Sequence, residues 1–296
     1  MFLVLCACGM LSARMSLPPV SSSAAADPAV AEKQVMRLHQ VEVGCANCHL
    51  LTAGDTVILI DGGTNRYKPS SAPAYQIETG NTPDRMMEYI AASGIDHIDA
   101  HFVTHYHNDH AQQLPVFSRL YGRDGTVVYG PSERLPDYLL PLPRGTYLCL
   151  RDGMSLDVGP FHVDCVGPAE VRRDGEINED SLNLLITYGS FRMLFTGDYM
   201  SDEVMREHGD LVRGTDVFVF PHHGLEPYAV TTGTMLDMNA GMVLIPGDPE
   251  GRVRIKYLRL GLRPEIYGNL RGNIVIESDG TEYAVHEHAE PGQFAE

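Results

Sequence analysis

Thr104-His105-Tyr106-His107-Asn108-Asp109-His110 places three imidazoles and one carboxylate in a single short stretch. The run Ala100 to Thr104 before it reads as a strand and the run Asp109 to Leu120 after it reads as a helix. The donor side chains therefore fall on the irregular link between two elements, where a loop can turn them toward one point. Zn²⁺ accepts His nitrogen and carboxylate oxygen, and i, i+2 spacing in an extended segment puts His105 and His107 on the same side. A metal centre is the expectation. His101, inside the strand, reads as an ordinary strand residue.

Other apolar runs end in the same way. Met193-Leu194-Phe195-Thr196-Gly197-Asp198 is a strand that closes on Gly-Asp, and Val217-Phe218-Val219-Phe220-Pro221-His222-His223-Gly224 is one that closes on His-His-Gly. Thr56 to Ile60 (TVILI) is a buried-strand run broken by Asp61-Gly62-Gly63, a turn that needs permissive backbone. Arg37 to Val43 alternates and makes the early strands antiparallel-looking. Pro83 to Ala92 reads as a helix with proline at its start. Further strands are expected at 126–129, 161–166, 182–187, 192–195, 216–220, 242–245, 273–276 and 282–285, with helices near 202–208 and 252–260. No Ser/Pro/Gly-rich linker divides residues 36–288, so they are expected to form one α/β domain of sheets covered by helices.

Composition bounds the partners. The chain has 296 residues, 44% hydrophobic and 21% charged, which is enough for a real core. With 22 basic against 39 acidic residues the net charge is −17, which argues against a nonspecific polyanion binder; nucleic acid enters only as a substrate. Phe2 to Leu11 is apolar but too short to cross a bilayer as a helix. Followed by Ser21 to Ala26 (SSSAAA) and Asp27-Pro28, it reads as an export signal over residues 1–26, so the protein is expected to be exported. Leu5-Cys6-Ala7-Cys8 also resembles a lipoprotein box, in which Cys8 would carry a lipid anchor.

The ordered set Asp61-Gly62-Gly63, His105-x-His107-x-Asp109-His110, Gly197-Asp198 and His222-His223-Gly224 resembles the metallo-β-lactamase superfamily over about residues 36–286. The resemblance implies an αββα sandwich with a one- or two-metal site at one edge. Within the superfamily the chain looks most like the branch of the hydrolase domain of DNA-uptake competence proteins and the phosphorylcholine esterases. Phe220 to Gly224 resembles its apolar-Pro-His-His-Gly signature, Asn178-Glu179-Asp180-Ser181-Leu182 its N-x-x-S-L, and Gly272-Asn273-Ile274 to Asp279-Gly280 its closing strand. The residues after His-His-Gly, Leu225-Glu226-Pro227, depart from the branch at a position that would grip substrate.

Carried onto this chain, the resemblance implies that His105 and His107 hold one ion, Asp109, His110 and His223 a second, and that Asp198 lies between them. His223 is preferred to His222 because it directly precedes Gly224; His222 then stands outside the ligand set or acts as an acid near the leaving oxygen. Asp61 is the acceptor that orients a ligating histidine. Many members supply a third histidine to the first ion from about twenty residues before the Gly-Asp. Here Asn178 occupies that place with Asp180 and Ser181 beside it, and the lone histidine between His110 and Asp198 is His162, inside an expected strand. The first ion is therefore expected to be held more weakly, with an oxygen of Asn178 or Asp180 narrowing the difference.

The implied cofactor is Zn²⁺, one or two ions, with Mn²⁺ as the alternative. The implied reaction is hydrolysis by a metal-bound hydroxide, with Asp109 and His222 nearest the chemistry and no serine or cysteine nucleophile. The substrate would be a small molecule or phosphodiester, or a related ester; the same ligands would serve a lactone, β-lactam or other acyl substrate. A reading of another class comes from Cys45-Ala46-Asn47-Cys48-His49, which has the C-x-x-C-H form of c-type haem attachment and would make the chain a non-enzymatic metal or haem protein. Against it, Asn47-Cys48-His49-Leu50-Leu51 fits the superfamily's N-C-aromatic-L-I strand, which leaves Cys45 and Cys48 as a disulfide or as plain thiols.

Overall fold

The computed structural model describes residues 34–63, 82–225, 230–247, 251–269 and 272–295. The segment 1–26 read as an export signal lies outside them, as do Glu226 and Pro227. Strands β1 (Met36–Gln40), β2 (Cys48–Ala53) and β3 (Thr56–Asp61) form an antiparallel meander. Helix α1 (Thr82–Ala92) leads to β4 (Ile98–Phe102), then α2 (Asn108–Ala111), α3 (Leu114–Tyr121), β5 (Gly122–Gly130) and β6 (Thr146–Cys149), and β3 to β6 run parallel. A second sheet repeats the plan. Its strands β7 (Ser155–Val158), β8 (Phe161–Gly167), β9 (Asn183–Tyr188) and β10 (Phe191–Phe195) are antiparallel. They continue through α4 (Asp202–Val212), β11 (Val217–Val219), α5 (Thr232–Met238), β12 (Met242–Ile245), α6 (Arg252–Arg259) and β13 (Glu265–Gly268), with β10 to β13 parallel. The chain then returns as β14 (Asn273–Ser278) and β15 (Tyr283–Ala289) to the first sheet, whose order is β15-β14-β1-β2-β3-β4-β5-β6; the second is β13-β12-β11-β10-β9-β8-β7.

Side-chain alternation stacks these sheets into four layers. From β3, Ile58 and Ile60 meet Met193 and Phe195 of β10 in the core between the sheets, whereas Val57 and Leu59 face outward to Met86 and Ile90 of α1 and Phe117 of α3. Leu194 of β10 turns the other way, into a cluster with Val204 of α4, Met235 of α5 and Tyr257 of α6. Strands covered on both faces read as unbroken apolar runs such as TVILI. The expected αββα sandwich is the observed architecture.

Several boundaries differ from the sequence reading. The expected helix 109–120 is two helices, because Pro115 at the start of α3 lacks an amide hydrogen and its ring would clash with the carbonyl four residues earlier. The strand expected at 100–104 is shifted to Ile98–Phe102, which leaves Val103 and Thr104 on the link itself. β6, β7, β13 and α5 were not expected; β6 and β13 are short, largely uncovered edge strands without a clear apolar period.

The topology decides where the chemistry sits. β3 ends at Asp61, β4 runs into Thr104 to His110, β10 into Asp198, and β11 into His222 and His223. All four donor-bearing ends leave the carboxyl ends of strands at one edge of the sandwich, where α/β sheets open crevices.

Candidate metal centre

Two groups of donors meet at this edge and share one residue. Asp109, His110, Asp198 and His223 each offer a ligand atom within 4.8 Å of the others, and so do His105, His107 and Asp198. Every residue expected in the ligand set is thus in one of the two groups. His222 is in neither; its Nε2 stands 3.9 Å from Asp198 Oδ2 and 3.5 Å from the Asn178 side-chain nitrogen, with the ring a quarter exposed at 26% while His223 is at 2%. Both residues have φ of 53°, a left-handed backbone that costs a side-chain-bearing residue about 1–2 kcal/mol and recurs where geometry is dictated by a site.

Asp61 is the anchor beneath. Its carboxylate is buried and accepts the Thr104 backbone N–H at 2.8 Å, the Thr104 hydroxyl at 3.0 Å, and Nδ1–H of His110 at 2.8 Å. The last bond fixes the His110 tautomer and leaves Nε2 to face the cleft, 3.0 Å from Asp198 Oδ1. His105 is held likewise, Nδ1 lying 3.3 Å from both the Thr104 and the Ser181 hydroxyls, while the Ser181 hydroxyl accepts the Asp198 amide at 3.1 Å. His107 Nε2 donates to the Glu176 carbonyl at 3.1 Å, so its Nδ1 lone pair is the one left free. Thr104, which touches Asp61 and lies beside both His105 and His110, is a positioning residue that sequence reasoning missed. Its role depends on a strand end from elsewhere in the chain, and no local pattern marks it.

The donor set fits a metal on an observation of its own. His105 Nε2, His110 Nε2 and Asp198 Oδ1 are buried without hydrogen-bond partners among the described residues, and all three face the same point. Buried polar atoms left unpaired cost roughly 1–3 kcal/mol each, so their convergence on one point needs a compensating cation. Electrostatics agree. Burial works against the charge on His110, but Asp198 and Asp61 outweigh it and hold the imidazole well above its ordinary range. Burial opposes the charge on His223 too, and Asp198 and Asp109 raise it. His105 is pushed down to about 3 by burial and by the His110 charge. Burial alone would raise Asp198, yet His110 and His223 keep it well below the usual carboxylate range. The upward shifts of His110 and His223 show that the buried carboxylates favour positive charge at this point, the charge that divalent ions would supply.

Two expectations change at the rim. Asp180 is not near the donors in function: its carboxylate accepts the backbone amides of Arg172, Arg173 and Gly175 at 2.7, 2.8 and 2.9 Å and is spent on shaping that loop. Asn178 keeps a buried Oδ1 without a partner among the described residues, next to His222. His162 lies away from the centre, between Asp157 and Asp164 on the half-exposed face of β8, and His101 is a buried strand residue edge-on to Phe117. The C-x-x-C-H reading fails on packing. Cys48 and His49 are each 1% exposed on opposite faces of β2, with the His49 ring 5.4 Å from Phe195, so neither has surface at which a macrocycle could attach. Cys45 and Cys48 are free thiols, and burial pushes the Cys45 thiol up to about 11.

Two substitutions probe this scaffold. Gly197 has φ of 53°, and a Cβ there would lie 2.7 Å from the Thr104 hydroxyl and 3.0 Å from Ser181 Cβ. Gly197→Ala is expected to cost about 1–3 kcal/mol in a denaturant melt and to displace Asp198; a melt unchanged from that of the parent chain would show that the turn is not constrained. Asp61→Ala should leave the sandwich folded while weakening metal binding or activity roughly 10- to 100-fold. Unchanged metal affinity would remove Asp61 from its orienting role.

Residues 42–153 match the family model of the metallo-beta-lactamase superfamily. Among solved structures, the metallo-beta-lactamase fold protein YhfI from Bacillus subtilis superposes with a TM-score of 0.53 at 16% identity, covering 78% of this chain and 96% of that one. The short form of human tRNase Z gives a TM-score of 0.46 at 13% identity over 78% and 95% of the two chains, and a diphosphatase of the PhnP family gives 0.46 at 14% over 79% and 94%. A search of curated protein sequences returned no match. At such identities the likeness is one of fold, and the chain has the metallo-β-lactamase fold.

Proposed function

We propose that this metallo-β-lactamase-fold chain is a metal-dependent hydrolase that cleaves a phosphodiester or a related ester. The observation that carries the reading is the pair of donor groups joined at Asp198. In it, His105, His107 and Asp198 would hold one divalent ion, zinc or manganese, and Asp109, His110, Asp198 and His223 would hold the other. When bound, such ions make hydroxide available at neutral pH and polarise the ester oxygens. The protein's own groups do the rest. Asp61, Thr104 and Ser181 keep the imidazoles in the tautomer that presents a lone pair, and Asp198 fixes the spacing between the two groups. His222, partly exposed beside Asn178, would give a proton to the departing oxygen.

Preference for a phosphodiester over an acyl substrate rests on the resemblance of Phe220 to Gly224 and Asn178 to Leu182 to the competence-protein and phosphorylcholine esterase branch. Export guided by residues 1–26 belongs to the same reading, and the intact mass of secreted protein tests it. The substrate test is a panel of chromogenic phosphodiester, phosphomonoester, lactone and β-lactam compounds with Zn²⁺ or Mn²⁺ supplied. Phosphodiester cleavage is expected to exceed the others. Strong β-lactam or lactone turnover with none on the phosphodiester would replace this reading with the acyl one.

A further inference from the structure

The chain carries −17 overall, yet Arg252, Arg254, Lys256, Arg259 and Arg263 fall within twelve residues that contain no Asp or Glu. They lie on α6 and the turn after it. Val253 and Tyr257 are the residues α6 buries, at 3% and 2% exposure, and they belong to the cluster that covers the second sheet. At 100° per residue the opposite side of the helix presents Ile255 and Leu258, 47% and 48% exposed, with Arg254 along one flank and Arg252 and Arg259 along the other. Lys256 is turned inward, its ammonium on the Val230 carbonyl. Arg254 and Arg263 donate to backbone carbonyls of Ile266 and of Leu258 and Leu262, and none of the four arginines has an ion pair among the described residues. Among the described residues their charge thus has no acidic partner, in an otherwise acidic protein.

Two exposed aliphatic side chains bounded by arginines on a helix that lies along the surface have the arrangement of an interfacial element. The aliphatic groups enter the acyl boundary while the guanidinium groups stay at the level of the phosphates. We infer that the outer face of α6 docks the protein on an anionic lipid surface, through Ile255 and Leu258 inserted between Arg252, Arg254 and Arg259. Nucleic acid would use the same cations but has no use for two aliphatic side chains at the centre of the patch. A lipid surface uses both. The metal-centre residues take no part, so the inference stands whether or not the hydrolase reading does.

The test is flotation of the full chain with vesicles of phosphatidylcholine alone and of phosphatidylcholine with phosphatidylglycerol, at low and at physiological salt. The apolar residues 2–11 are present in every sample, so the comparison between lipids and between variants is what is read. Binding is expected on the anionic vesicles only and should weaken with salt. Arg252→Gln with Arg259→Gln should lower it roughly tenfold or more, since each cation near an anionic leaflet contributes several-fold to partitioning. Ile255→Ser with Leu258→Ser should also lower it while preserving charge. All four positions are exposed, and an unchanged circular dichroism melt shows that each variant is folded. Equal binding to both lipids, no binding to either, or binding indifferent to both double variants would overturn the inference. So would tight binding of an oligonucleotide that ignores Ile255→Ser/Leu258→Ser, or a concentration-dependent dimer that this variant abolishes.

Discussion

Asp198→Ala should remove hydrolysis to the detection limit while the chain stays folded. Asp198 is the one residue common to both donor groups, so its loss takes a ligand from each prospective ion at once. The loss should therefore exceed the roughly 10- to 100-fold expected when only an orienting partner such as Asp61 is removed. Folding should survive because Asp61 still pairs with His110 and Asp109 with His223, so neither buried imidazole loses its last partner. His107→Ala should abolish turnover as well, but it should leave the four-donor group able to retain metal. Turnover and bound metal measured on the same samples separate the two variants. A folded Asp198→Ala chain that keeps its metal and its rate would remove the shared-ligand arrangement.

Metal binding should be strongly proton-coupled, and the sign follows from the histidines. In the metal-free protein Asp198 and Asp61 hold His110 well above its ordinary range and Asp198 and Asp109 raise His223, whereas burial pushes His105 down to about 3. A ligating imidazole must give its proton up, so uptake should release between one and two protons, and affinity should fall as pH falls. Where both histidines are protonated, the apparent association constant should drop by up to about a hundredfold per pH unit. Calorimetry in two buffers of different ionisation enthalpy counts the protons. Uptake with no proton release at neutral pH would show that the two histidines are neutral before metal arrives.

Much of this centre is legible in the sequence because its donors are local. His105, His107, Asp109 and His110 are fixed by a strand–link–helix boundary, and Asp61, Asp198 and His223 each directly follow or closely follow an apolar strand run, so their convergence needs only those strands to end at one edge. What was not legible depends on long-range placement. Thr104 becomes a positioning group only because β3 delivers Asp61 beside it. Asp180 has the composition of a ligand, but three backbone amides of the 172–175 loop claim its carboxylate first. The break between α2 and α3 is a different case: Pro115 marks it in the sequence, and the apolar period on either side conceals it.

The asymmetry between the donor groups leads to the most direct test. One group has four candidate protein ligands and the other three. An ion with fewer protein ligands is held more weakly. Titration of metal-free protein with Zn²⁺, following bound metal and phosphodiester turnover together, is the deciding measurement. A two-ion centre built as described should fill in two steps, the four-donor group first, with turnover rising on the second. Failure to bind Zn²⁺ stoichiometrically, or full turnover with a single ion per chain, would contradict it.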